Sequence, residues 1–171
     1  MSISFQKSFY VFVILLTLAS LIAISVTDVH LKNEVTNGII DFELAKTPER
    51  ARQIMDSWGH TGRIYAAFSL GIDYLFLVFY TLFFVLSTYK ISRRNHRFFQ
   101  NIAFFLTLVF VSAGVFDAVE NYYLLQVLIH PDDTASNILA AYYFSSAKFI
   151  LLGLGVLMLL AGWLTKRFYR Q

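Results

Sequence analysis

Four long apolar runs, separated by shorter polar segments, dominate the pattern of the chain. A helix needs about 20 apolar residues to cross the hydrocarbon core of a bilayer. The runs Ser8–Thr27, Ile64–Tyr89, Phe98–Ile129 and Ile138–Leu164 all reach that length. The pattern therefore predicts an all-α integral membrane four-helix bundle, formed as one domain by residues 1–171.

The first apolar run has to be distinguished from a cleavable secretory signal. Its apolar stretch is longer than the 7–15 residues of a signal peptide, and its basic start consists only of Lys7 and the amino terminus. Small residues at Ala19, Ser20 and Ala23 leave cleavage open. We interpret the run as a retained membrane span.

The loop Asp28–Thr61 is the longest polar segment of the chain. Within it, Thr47–Glu49 predicts the start of a helix, with threonine as the N-cap, proline at the first helical position and an acid in the first turn. We expect this short amphipathic helix to end at Gly59 and to lie along the membrane interface or over the mouth of the bundle. The preceding segment Ile39–Leu44 fits either an extended or a helical conformation. The amphipathic helix that starts at Thr47 has one apolar face, formed by Ala51, Ile54, Met55 and Trp58.

Composition supports a membrane protein and excludes several other classes. The chain is 57% hydrophobic and only 15% charged, whereas a soluble domain carries about 25% charged residues. The net charge of +3 does not indicate nucleic-acid binding, because the basic residues gather at the ends of the apolar runs. Since the chain has no cysteine, a disulfide framework and a thiolate metal site are both excluded.

Charge in the connections predicts the orientation of the spans. The connection Lys90–Arg97 holds four Lys/Arg residues and no acid, whereas the connection His130–Ala135 holds two acids and no Lys or Arg. The positive-inside rule places the first of these in the cytoplasm together with both termini, and the Asp28–Thr61 loop outside. The carboxyl-terminal tail agrees, because it carries Lys166, Arg167 and Arg170.

Four ionisable residues other than tyrosine lie inside the predicted spans. A charge at mid-helix costs about 2.5–3.5 kcal/mol on insertion scales. Counted from the predicted outer ends of their helices at 1.5 Å per residue, all four lie about 15–20 Å deep, in one layer. We expect the lysine to contact at least one of the acids, because an unpaired buried ammonium loses its proton or extends to the interface. The four residues are Asp73, Asp117, Glu120 and Lys148.

Helical spacing groups these charges with other polar side chains into a predicted pocket. If all four ionise, the net charge is −2, so protons, a bound cation or a basic group such as Arg63 or His60 must offset it. An alternative is that the charges only hold the helices together, although intramembrane charges are functional by default. The predicted pocket residues are Tyr65, Ser69, Asp73, Asp117, Glu120, Asn121, Ser145 and Lys148.

Three functions remain open at this stage. In the leading hypothesis an outward-opening pocket binds a small molecule or lipid head group, and in a catalytic version also acts on it. Glu120 or Asp73 would then transfer a proton, with Lys148 as the electrostatic partner and Asn121 as the orienting group. The second hypothesis is an ion- or proton-coupled transporter that works as a homo-oligomer, and the third is a structural or partner-binding membrane subunit.

Motifs for a cofactor, a metal or nucleic acid are not evident in the sequence. His30, His60 and His130 lack the spacing of metal ligands, so we expect no metal site. Gly153-Leu154-Gly155 lacks the strand and turn of a phosphate-binding loop and indicates helix packing. We expect no bound cofactor and no nucleic-acid partner, and the partners left are the bilayer and a small ligand.

Several short motifs together resemble a known group of proteins. They are Phe42–Ala45 with Thr47 and Trp58 in the outer loop, Asp73–Phe76 in the second span, Asp117-x-x-Glu120-Asn121 in the third and Lys148-Phe149 in the fourth. On these motifs the chain resembles small bacterial four-span membrane proteins of unknown function. The resemblance implies the same fold in the cell inner membrane and brings no activity with it.

Overall fold

The structure is a computed structural model that describes residues 3–93, 97–131 and 135–168. Helices make up 91% of it, which confirms the all-α prediction. The orientation prediction depends partly on Arg94, Asp132, Asp133 and Arg170, which lie outside the described residues. In chain order the helices are α1 (Ile3–Asp28), a 3₁₀ turn (Val29–Leu31), α2 (Ile39–Glu43), α3 (Pro48–Ser92), α4 (Arg97–Ile129) and α5 (Ala135–Phe168).

The four long helices carry the four predicted apolar runs. Each is long and apolar enough to cross a membrane, which is consistent with a multi-pass membrane protein. The elements extend beyond the predicted runs, because polar residues at the ends of each run continue the helix. The candidate spans are Gln6–Leu31, Pro48–Ser92, Gln100–Ile129 and Ala135–Leu164.

The predicted amphipathic helix forms the first part of α3. Thr47 is its N-cap, and the side-chain oxygen of Thr47 accepts a hydrogen bond from the backbone N–H of Arg50 at 3.3 Å. At Gly59 the backbone leaves the helical conformation (φ 60°, ψ −166°), a region that favours glycine. Beyond this kink the helix resumes and becomes the second long span. The predicted end at Gly59 is therefore confirmed as a kink between two helical segments.

Residues 29–58 form a cap over one end of the bundle. The segment Ile39–Leu44, which the sequence left open, is helical over Ile39–Glu43. Phe42 is fully buried and its ring packs edge-on against Trp58, with 5.3 Å between the ring centroids. The indole N–H of Trp58 donates to the backbone oxygen of Leu31 at 2.8 Å. The cap rests on the bundle through its buried apolar face, as predicted for Ala51, Ile54, Met55 and Trp58.

Packing of the long helices leaves a cleft on one side of the bundle. α1 packs against α3, α3 against α4, and α4 against α5, while α3 and α5 touch less extensively. The Phe84 and Phe110 rings stack between α3 and α4 with centroids 4.5 Å apart. Gly155 lets α5 approach closely, because a Cβ there would lie 2.7 Å from the Phe110 ring. Over the described residues α1 and α5 hardly touch, and the cleft lies between them.

Candidate functional site

Lys148 is the centre of a buried ionic cluster. Its Nζ lies 2.7 Å from Asp117 Oδ1, 2.8 Å from Glu120 Oε2 and 3.3 Å from Glu43 Oε2. All four side chains are buried. Asp117 and Glu120 are one helical turn apart on α4 and therefore face the same lysine on α5. The predicted contact between the lysine and at least one membrane acid is confirmed.

Glu43 was not among the predicted site residues. It belongs to α2 in the cap, and 105 positions separate it from Lys148 in the chain. A helix over this segment would have indicated that Glu43 is buried, because it places Glu43 on the same face as the apolar Ile39, four residues earlier. The sequence left that conformation open, so the burial of Glu43 could not be inferred.

Asp73 and Tyr80 extend the cluster along α3. Asp73 Oδ2 accepts a hydrogen bond from the side-chain amide of Asn121 at 2.6 Å. The Tyr80 hydroxyl donates to Asp117 Oδ2 at 2.9 Å, so that Asp117 lies between Tyr80 and Lys148. Tyr80 was not predicted, although its spacing of seven residues from Asp73 places it two turns away on the same face.

Acids exceed bases in this cluster. With Glu43 included there are four carboxyl groups for one lysine, so the net charge would be −3 if every group were ionised. Neither Arg63 nor His60 offsets it, because Arg63 pairs with Asp56 at 2.8 Å and His60 is exposed. Burial raises the pKa of Glu43 above its ordinary value of 4.5, and the attraction of Lys148 opposes that effect only partly. Bound protons or a cationic ligand must therefore relieve the remaining repulsion.

A pH dependence of stability follows from the raised pKa of Glu43. In the unfolded chain Glu43 loses its proton at a lower pH than in the folded protein, so folding becomes less favourable as the pH rises above about 4.5. A pKa raised by one unit corresponds to about 1.4 kcal/mol. Glu43 faces Lys148 on α5, Asp117 and Glu120 on α4, and the charge of Asp73 on α3.

We expect Glu43→Gln to reduce the loss of thermal stability between pH 5 and pH 8. The measurement is thermal unfolding of the detergent-solubilised protein at both pH values. Glu49→Gln is the matched control, because Glu49 is exposed at the start of α3. Equal pH dependence in the wild type and Glu43→Gln would contradict the burial of this carboxyl group.

A cavity of about 360 Å³ lies beside the cluster, in the cleft between α1 and α5. Its polar side is formed by Glu43, Asp73, Asp117, Lys148 and Tyr80, and most of the remaining wall is apolar. Its volume falls within the range of about 300–1,000 Å³ that is typical of small-molecule sites. Side chains from three elements form its exposed rim: Leu21 of α1 (44% exposed), Ile40 of α2 (55%) and Phe149 of α5 (41%).

The other predicted pocket residues lie at different distances from this cavity. Glu120 and Asn121 are fully buried behind its polar wall, and Ser69 and Ser145 are buried among the helices. Tyr65 lies towards the cap, where its ring stacks on His30 with centroids 4.2 Å apart. Of the eight predicted residues, the structure brings Asp73, Asp117 and Lys148 to the cavity wall.

The described residues offer acid–base groups and little else for chemistry. Within them, no group of three or more His, Asp and Glu side chains is arranged to hold a metal ion. The Lys148 ammonium itself occupies the position between the three carboxylates. The site is therefore suited to binding protons or a cationic group.

No protein-family model, no curated protein and no solved structure matches this chain. The resemblance to small bacterial four-span proteins stays an expectation from short motifs. The evidence for the function of this protein therefore lies in the residues of the site itself.

Proposed function

We propose that this membrane protein binds an amphiphilic small molecule or lipid in the cavity between α1 and α5. The polar group of that ligand lies against the buried cluster, and its apolar part lies against the apolar wall. The observation that carries the proposal is a cavity with an acid-rich ionic wall on one side and an apolar exposed rim on the other. A polar wall alone fits many ligands, but an apolar rim favours one that arrives from lipid.

The position of the rim supports entry from the side. The sequence favoured a pocket that opens outward, but the cap covers that end of the bundle with buried residues such as Leu31, Phe42 and Ile54. The exposed rim lies between Leu21 of α1 and Phe149 of α5, and the cap contributes Ile40 to its edge. In a bilayer that side of the bundle faces hydrocarbon, so the ligand enters laterally.

A catalytic version of the proposal assigns proton transfer to Asp73. Asp73 lines the cavity and can touch a bound molecule, whereas Glu120 is fully buried behind Lys148. Asn121 would then orient the Asp73 carboxylate through its hydrogen bond of 2.6 Å. Lys148 would hold the neighbouring acids in place and stabilise negative charge.

Filling the cavity tests the binding proposal. Leu152 of α5 lines the cavity and is half-buried, so we expect Leu152→Trp to fill part of the space and to lower ligand occupancy at least tenfold. The measurement is mass spectrometry of amphiphiles that co-purify with the protein. Leu157→Trp is the matched control, because Leu157 is on the same helix but 64% exposed and away from the cavity. Equal occupancy in both variants would argue against this cavity as the site.

We also propose the orientation that the loop charges favour, with both termini in the cytoplasm and the cap outside. Reporter fusions after Arg94 and after Gln171 are expected to read as cytoplasmic, and a fusion within the Asp28–Thr61 loop as external. The physical reason is the excess of Lys and Arg beside the cytoplasmic ends of the spans. A cytoplasmic signal from that loop would overturn this orientation.

A structural role is the second candidate, and one observation favours it. The single ammonium of Lys148 contacts carboxylates from α2 and α4, so it joins both the cap and α4 to α5. Such an arrangement holds helices together whether or not a ligand binds. Replacement of the whole cluster with uncharged residues separates the two roles.

A further inference from the structure

A second cavity lies further along the same cleft, away from the cap. Its volume is about 330 Å³, and it is formed by α1, α3 and α5. Phe84 lines both cavities, so the two spaces adjoin at that side chain. Its other lining residues are aromatic or aliphatic except for Ser87 and Lys90, and they include Tyr10, Leu160 and Trp163. The cleft is therefore long, and the side chains that line its part away from the cap are mainly aromatic and aliphatic.

The length of the cleft suits a lipid-like chain. Asp73 and Phe84 are eleven positions apart on α3, which is about 16 Å along a helix. One leaflet of the hydrocarbon core is about 15 Å thick, since the whole core is about 30 Å. An alkyl chain of ordinary lipid length whose polar end lies at Asp73 therefore reaches Phe84, and a slightly longer one enters the second cavity.

Asp73 is a cavity acid that forms no ion pair within the described part of the chain. Lys148 contacts Asp117, Glu120 and Glu43, and its contacts do not include Asp73. Asp28, a further acid at the cavity wall, has Lys32 at 3.2 Å and accepts from a backbone N–H. Among the described residues, Asp73 accepts a hydrogen bond only from the neutral side-chain amide of Asn121. A positive charge in the cavity would thus meet an available carboxylate.

Hydrogen-bond acceptors also exceed donors around Asp73. Behind the cavity wall, the fully buried acceptors Glu120 Oε1 and Asn121 Oδ1 receive no hydrogen bond from the described residues, so the cluster has no donor to spare for Asp73. The Asn121 amide points into the cluster, because its nitrogen lies 2.6 Å from Asp73. A primary ammonium supplies three N–H donors together with the missing positive charge. A phosphate or carboxylate would add further acceptors and negative charge to a cluster that already has both in excess.

We propose that the ligand is a long-chain primary amine, whose ammonium pairs with Asp73 and whose alkyl chain follows the cleft past Phe84 into the second cavity. This inference rests on the proposed amphiphile-binding function and specifies its ligand class. Phe76 and Tyr80 line the same cavity, and aromatic rings attract a cation that lies over their faces. The amine enters from the bilayer with its chain leading along the apolar cleft.

Three probes with the same hexadecyl chain and different head groups test the inference: hexadecylamine, hexadecanol and hexadecyl phosphate. Binding to the full-length protein in detergent is measured by displacement of an alkylamine brominated near the end of its chain. That probe quenches tryptophan fluorescence when its bromine lies beside Trp163, which lines the second cavity. Trp163→Phe identifies the signal, since the chain has only one other tryptophan.

We expect the brominated probe to quench the wild type saturably. Hexadecylamine should displace this probe at least tenfold more effectively than the alcohol or the phosphate. Asp73→Asn is expected to weaken amine binding about tenfold or more and to weaken hexadecanol binding much less, since loss of a buried charge pair is costly. Trp163→Phe is expected to abolish the saturable quenching, which assigns the signal to Trp163.

Each contrary outcome removes a defined part of the hypothesis. If the alcohol or the phosphate binds as well as the amine, the ammonium assignment is wrong, although the cleft still binds amphiphiles. If the amine binds by dialysis without quenching Trp163, its chain does not reach the second cavity and the proposed path is wrong. If none of the three probes binds saturably, the amphiphile-binding function itself fails.

Discussion

Lys148→Met is expected to destabilise the protein by about 3–5 kcal/mol, because it leaves buried carboxyl groups without the one ammonium that pairs with them among the described residues. The ammonium lies within 3.3 Å of Glu43, Asp117 and Glu120 and is itself buried. Methionine retains a chain of similar length, so the loss reports mainly the charge. The measurements are the abundance of the protein in membranes and its unfolding temperature in detergent.

The matched control for this variant is Lys32→Met. Lys32 also pairs with an acid, Asp28, but its side chain is 56% exposed. An exposed ion pair contributes about 0–1 kcal/mol, so the control should change little. If both variants lose the same stability, burial of the Lys148 cluster is not what makes its ion pairs important.

Neutralising the entire cluster is expected to restore folding and to abolish ligand binding. The variant combines Lys148→Met with Glu43→Gln, Asp73→Asn, Asp117→Asn and Glu120→Gln. Replacing a complete buried ionic group with uncharged residues of similar size is often neutral or stabilising. The combined variant should therefore unfold at a higher temperature than Lys148→Met alone. Its affinity for an amphiphile should nevertheless fall at least tenfold, because the charged wall of the cavity is gone.

Two measurements on the combined variant separate a site from a purely structural cluster. Unfolding temperature shows whether it folds, and amphiphile binding shows whether the cavity still functions. A well-folded combined variant that binds amphiphiles like the wild type would end the binding-site hypothesis in favour of the structural role. Leu157→Trp, which leaves the cluster and the cavity unchanged, provides the reference for normal binding.

Much of the architecture is determined by local sequence, because a bilayer leaves few solutions. Backbone groups in hydrocarbon must be satisfied within the element, so a long apolar run becomes a helix regardless of its neighbours. The start of α3 at Thr47 and its kink at Gly59 are local as well, since both depend on capping and on a positive φ angle. The shared depth of Asp117 and Lys148 follows from counting residues along helices of known rise.

Other features could not be obtained from the sequence, because they depend on contacts between distant segments. Glu43 reaches Lys148 only when α2 folds and the Phe42 ring packs on Trp58, which brings the cap down onto the bundle. Arg63 was a plausible counter-charge in the sequence, yet the kink directs it to Asp56 instead. No local pattern distinguishes these outcomes.

The sequence by itself therefore determined four long apolar helices, the helix that begins at Thr47 with its break at Gly59, and a layer of ionisable residues within the apolar runs. The tertiary structure alone decided that Lys148 binds three carboxylates, whereas Asp73 accepts a hydrogen bond from Asn121. It also decided that a cleft lies between α1 and α5. The physical reason is that helix formation depends on neighbours within a few residues, whereas helix packing depends on which side chains interlock across the bundle.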